Sequence, residues 1–123
     1  MPPIEAIPTA CTRLGLLRER HGDFRGAADS YLPAAEAEHP GAMLGLGNAL
    51  YQLGHTDQAE HWWRRSAASG SFDAMNNLGV LLHGHGDTAR AFRWWGEAAA
   101  GGNPQAQYHL DTARRDVRIE PDA

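Results

Sequence analysis

Apolar and small residues along this chain recur at a fixed step of 32 positions. Ala10, Ala42, Ala74 and Ala106 fall in one column, and Leu14, Leu46, Leu78 and Leu110 in another. Gly15, Gly47 and Gly79 form a third column, Gly22, Gly54 and Gly86 a fourth, Ala27, Ala59 and Ala91 a fifth, and Tyr31, Trp63 and Trp95 a sixth. A step of roughly 20–50 residues marks a repeat array, in which each unit buries its apolar face only against its neighbours.

Within each step, the apolar spacing and the glycine breaks predict a pair of helices. The predicted spans are 9–21, 24–38, 41–53, 56–69, 73–84, 88–100 and 104–118. Leu14 and Leu17 are expected to face inward from the first. Gly22-Asp23 ends that helix and starts the next, because glycine supplies a left-handed residue and aspartate caps the following helix. Pro40 and Pro104 mark helix starts, where a missing N–H costs little, whereas Pro33 lies inside a helical pattern and predicts a kink. Gly47 and Gly79 are expected to meet Ala59 and Ala91, letting paired helices approach closely, while Trp63 and Trp95 fill the gap to the next repeat. The domain plan is an irregular leader over 1–8, with Ile4 and Ile7 folding over the first pair, and one repeat domain over 9–118. Its repeats are 10–41, 42–73 and 74–105, followed by a capping helix over 106–118 and a tail over 119–123. In the cap, Asp111 replaces the glycine column, and Arg114, Arg115, Asp116 and Arg118 are expected to face water.

Leu78-Gly79, then Ala91, then Trp95 resembles the tetratricopeptide (TPR) repeat. The second helices are similar to Sel1-like repeats: Ala59, Trp62, Trp63, Ser66, Ala67 and Gly70 lead into Ala74, Leu78 and Gly79. Ala91, Trp94, Trp95, Ala98, Ala99 and Gly102 likewise lead into Ala106 and Leu110. The link between paired helices is TPR-like in length. The resemblance, which covers residues 8–118, implies an all-α, right-handed α-solenoid of antiparallel helix pairs, about 3.5 repeats and seven helices. It further implies a scaffold that binds a protein or peptide segment, without a cofactor.

In TPR-like arrays the first helix of each pair lines a concave groove. The register places there Thr12, Arg13, Leu16, Glu19 and Arg20; Leu44, Asn48, Tyr51 and Gln52; Asn76, Asn77, Val80 and His83; and Tyr108, His109, Thr112 and Arg115. Asn48 and Asn77 fall where some TPR domains hold a peptide backbone or a C-terminal carboxylate, and side-chain amides suit this task by offering both a donor and an acceptor. Leu44 and His109 stand where such a clamp has a lysine and an arginine, which favours an internal peptide segment. The expected contacts are Asn48, Tyr51, Asn76, Asn77, Tyr108 and His109. In the alternative reading, Asn76 and Asn77 hydrogen-bond within the solenoid. Trp62 and Trp94 are expected to be half-buried. On an open face they would instead form an aromatic surface for self-association or for docking on a larger protein.

Composition narrows the field. Eleven arginines and no lysine oppose fifteen acids, a net charge of −4, which gives no general attraction for nucleic acid or an anionic membrane. Cys11 is the single cysteine and occupies the column of Met43 and Met75, as a small core residue would. No secretory signal or membrane-length apolar run is visible, so the expectation is cytoplasmic, and the alanine, glycine and arginine richness suggests a bacterium of high GC content. His83-Gly84-His85 is the one dense histidine cluster. Its alternate spacing at a helix end lacks a third ligand, so no metal site is expected. Nucleophile-elbow and phosphate-loop motifs are absent, and no enzymatic activity is expected.

Overall fold

The computed structural model describes the backbone of residues 6–119 and the side chains of residues 8–116. The packing expected of Ile4 and Ile7 and the exposure of Arg118 lie outside the described residues. The chain divides into two compact units that meet at Ser71 and Phe72. The first holds α1 (Ala6–Arg20), α2 (Phe24–Glu36), α3 (Pro40–Gln52) and α4 (Thr56–Ala68); the second holds α5 (Phe72–Gly84), α6 (Thr88–Ala100) and α7 (Pro104–Ile119). All seven expected helices are present and no strand occurs among the described residues. α2 carries Pro33 in its interior and runs on to Glu36. Pro40 opens α3 and Pro104 opens α7. No helix among the described residues is long and apolar enough to cross a membrane.

The helix ends repeat one device. At the end of α1, Asp23 N–H donates to the Arg18 carbonyl at 2.9 Å and Gly22 N–H to the Glu19 carbonyl at 2.9 Å, the paired bonds of a Schellman motif. The same pair recurs at the ends of α2 to α6. Its left-handed residue is glycine at Gly22, Gly54, Gly70, Gly86 and Gly102, but glutamate at Glu38, with φ 63°. Glu38 stands 32 residues before Gly70 and 64 before Gly102, so this repeat closes with a side chain where the others need none. Asp23 then caps α2 by accepting from Gly26 N–H at 2.9 Å, and Asp87 caps α6 by accepting from Arg90 N–H at 3.2 Å.

The cores form where the ring of a second helix lies on a first helix. Tyr31, Trp63 and Trp95 are buried. A Cβ on Gly15 or Gly45 would run into the Tyr31 ring, one on Gly47 into the Trp63 indole, and one on Gly79 into the Trp95 indole. The close approach expected at Gly47 and Gly79 is real, but the group pressed against each is the tryptophan ring rather than Ala59 or Ala91. α7 has no following helix in the described structure to press on it; there Asp111 replaces the glycine, lies exposed, and accepts from Gln107 Nε2 at 3.0 Å.

The expectation that Leu14 and Leu17 face inward is overturned: they are 43% and 52% exposed. Their counterparts Leu46, Ala49, Leu78, Leu81, Leu110 and Ala113 are buried. α1 is the first helix among the described residues, so no earlier helix covers these positions. Cys11 is half-buried for the same reason, while Met43 and Met75 are buried.

Three substitutions, compared by thermal melting, test these packing arguments. Gly79→Ala forces a methyl into the Trp95 indole and is expected to destabilise by about 1–3 kcal/mol. Gly96→Ala, inside α6 with open space around the new methyl, is expected to stabilise by about 0.5–1 kcal/mol. Glu38→Gly relieves left-handed strain of about 1–2 kcal/mol, outweighing its exposed 3.3 Å ion pair with Arg65, so it should melt above the parent. A Gly79→Ala protein as stable as the parent would refute the ring-on-glycine account.

Candidate functional site

The expected contact residues divide between the two units. In the first unit, Asn48 is half-buried on α3, and its Oδ1 accepts from the Trp63 indole N–H at 3.0 Å. Tyr51, one turn later, is 44% exposed and lies 5.5 Å from the Trp63 ring in a tilted arrangement. Asn48 therefore serves the core. The Tyr31 hydroxyl is pushed up to about 12 by burial and by the neighbouring Glu19 carboxylate. Burial in turn raises the Glu19 carboxyl above the ordinary carboxylate range.

In the second unit three of the expected residues converge. Asn76, Tyr108 and His109 line one open cleft of about 600 Å³ together with Val80, Pro104 and Gln105. Tyr108 is 67% exposed. His109 is half-buried and stacks on Trp95, with ring centres 5.2 Å apart and planes 22° apart. Tyr108 meets the edge of His109 at 5.7 Å. Asn77 is half-buried on α5 and does not line this cleft.

Asn76 is buried at 3% exposure. Its Nδ2 donates to Gln105 Oε1 at 3.4 Å, and its backbone carbonyl accepts from the Trp95 indole N–H at 3.3 Å. Its side-chain Oδ1 is buried with no hydrogen-bond partner, and an unsatisfied buried acceptor costs about 1–3 kcal/mol. The two equivalent tryptophans therefore find different acceptors. Trp63 has Asn48 within reach, whereas the same column supplies Val80 beside Trp95, which cannot accept, so that indole turns to the Asn76 carbonyl. Neither acceptor was legible in the register, nor were the roles of Pro104 and Gln105, which lie outside the groove columns.

A second cleft of about 200 Å³ adjoins the first. It is lined by Val80, His83, Trp95, His109, Thr112, Ala113 and Asp116. His83 lies 5.5 Å from Trp95 and its Nδ1 is 3.4 Å from the Thr88 hydroxyl, so its ring packs beside the core ring. No group of three potential metal ligands occurs among the described residues. Trp62 and Trp94 are half-buried, and the Arg65 guanidinium sits 4.9 Å above the Trp62 ring.

Burial lowers the pKa of His109, and the neighbouring His83 lowers it further. The folded chain thus refuses a proton that the unfolded chain accepts, and stability falls as pH drops through the ordinary histidine range near 6.5 toward the lowered value. Below that value the loss stops growing. The parent is expected to melt lower at about pH 5.5 than at about pH 7.5, and His109→Gln should shrink that difference. An identical pH dependence in the two proteins would remove His109 from the account.

A tetratricopeptide repeat family model matches residues 12–73 and again residues 44–107. No curated protein matches the sequence. Among solved structures, the TPR2AB-domain:pHSP90 complex of yeast Sti1 is similar, with TM-score 0.78 and 14% identity over 93% of this chain and 48% of that one. This chain thus spans about half the length of that relative. MamA is similar with TM-score 0.70 and 15% identity, covering 94% of this chain and 81% of that one. The N-terminal domain of stress-induced protein-1 (STI-1) from C. elegans gives TM-score 0.72 and 13% identity, covering 91% and 98%. These likenesses show an all-α repeat solenoid fold. The two overlapping family matches, running together from residue 12 to residue 107, show that the chain belongs to the tetratricopeptide repeat family.

Proposed function

We propose that this protein is a non-catalytic scaffold that binds an extended peptide segment on the face formed by the first helices of its repeats. The observation carrying this reading is the open cleft of the second unit, where the 67% exposed Tyr108 stands over Asn76, His109 and Val80. An exposed aromatic beside an apolar cleft with a few fixed polar groups is what a side-chain anchor needs. Asn77 extends this face along α5, and Asn48 and Tyr51 present the corresponding face of α3 in the first unit. Membership of a repeat family that generally binds proteins supports the reading, as does a structural neighbour solved as a pHSP90 complex.

A second reading, an oligomerising or accessory subunit, is favoured by one observation: Leu14 and Leu17 are open at positions buried in every later first helix. One chain's mass in light scattering at all concentrations would count against self-association. The primary reading is tested by selecting binders from a displayed peptide library and measuring them by calorimetry. Tyr108→Ala is expected to weaken selected peptides by about tenfold or more, with an unchanged melting temperature. Selected peptides that bind the Tyr108→Ala protein as tightly as the parent would sink it.

A further inference from the structure

We infer that the segment bound by the second unit carries a basic side chain, arginine or lysine, next to an apolar one. This rests on the peptide-binding reading of the same face and adds the chemistry of the partner.

The two clefts share Val80 and His109 as a common wall, so one extended segment can place neighbouring side chains in both. The larger, flanked by Val80, Pro104 and Tyr108, suits an apolar side chain. The smaller is bounded by His83, His109, Thr112 and Asp116. Among the described residues, Asp116 is the one lining either cleft that carries a formal charge with the histidines neutral. No arginine among the described residues lines them. Asp116 belongs to no ion pair among the described residues. Beside it, the depressed pKa of His109 keeps that ring an uncharged nitrogen acceptor at neutral pH.

The lining is therefore rich in acceptors. Asp116 offers a carboxylate, and Asn76, on the larger cleft, holds a buried carbonyl oxygen that lacks a donor. A partner supplying more acceptors leaves these groups uncompensated, and a carboxylate also meets like charge at Asp116. A guanidinium or ammonium brings donors and the opposite charge, while its aliphatic stem lies along the apolar wall. The chain's net charge of −4 works in the same direction over longer range.

The test uses the whole chain and a pooled library of acetylated, amidated nonapeptides in which arginine, lysine, glutamine or glutamate follows an apolar residue. Blocking both ends removes terminal charges, so selection reads side chains alone. Arginine and lysine members are expected to be retained at least about tenfold over their glutamate counterparts, an equilibrium difference of about 1.4 kcal/mol. Asp116→Asn, at an exposed position, should reduce that preference severalfold without lowering the melting temperature, and Asp116→Arg should abolish or reverse it. Equal retention of acidic and basic members, with capture still lost in Tyr108→Ala, would overturn the inference while leaving the peptide-binding reading intact. A basic preference unchanged in Asp116→Asn would likewise overturn it. A library from which nothing is captured through Tyr108 would sink both.

Discussion

The constraint on which the rest of the structure depends is a flat aromatic ring resting on bare helix backbone. Each second helix of a pair ends its apolar face in one ring, and that ring reaches the partner helix only where a Cβ is missing. Interiors pack at the density of organic crystals, and a methyl inserted at such a contact has nowhere to go without displacing a helix. In the first unit, α3 is gripped from both sides: Gly45 receives the Tyr31 ring from the helix before it and Gly47 the Trp63 ring from the helix after it. The glycines are helix-destabilising by propensity, and their ring contacts offset that cost.

The same constraint builds the candidate site. One column supplies Gly45 to the Tyr31 ring and, 64 residues later, His109 to the Trp95 ring. A glycine accepts the ring onto backbone; a histidine must stack on it, which places the imidazole in the wall of two clefts and shields it from water. A packing position thereby becomes part of the lining of both clefts. The indole N–H adds a polar requirement, since a buried donor without an acceptor is costly. Asn48 meets it in the first unit, while a backbone carbonyl meets it in the second. Asn48 thus holds its core ring through its side chain, whereas Asn76 holds its ring through the backbone carbonyl and lines the cleft.

Much of the fold was legible because the repeat prints each structural rule several times. Glycine columns announce the left-handed helix ends, Pro40 and Pro104 the starts, and the ring column the core. Leu14 and Leu17 show where this fails. Their column is apolar in every repeat, yet burial needs a covering helix, and the column cannot report that no helix precedes α1 among the described residues. Gly47 and Gly79 fail differently: the need for a small residue was visible, but its partner depended on the direction a side chain takes from α4 or α6. The candidate site was legible as a set of columns; that Asn76, Tyr108 and His109 share one cleft, that Gln105 bonds Asn76, and that Asp116 borders the adjoining cleft were not.

The sequence by itself determined the repeat length, the helix count and order, the turn chemistry and the family, because those depend on local spacing and backbone preference acting within about 32 residues. Only the tertiary structure decided which apolar columns are covered, which acceptor each indole finds, and where a buried carbonyl is left without a donor. Those outcomes depend on groups brought together across helices, where a single change from asparagine to valine redirects a hydrogen bond and alters the face a partner would meet.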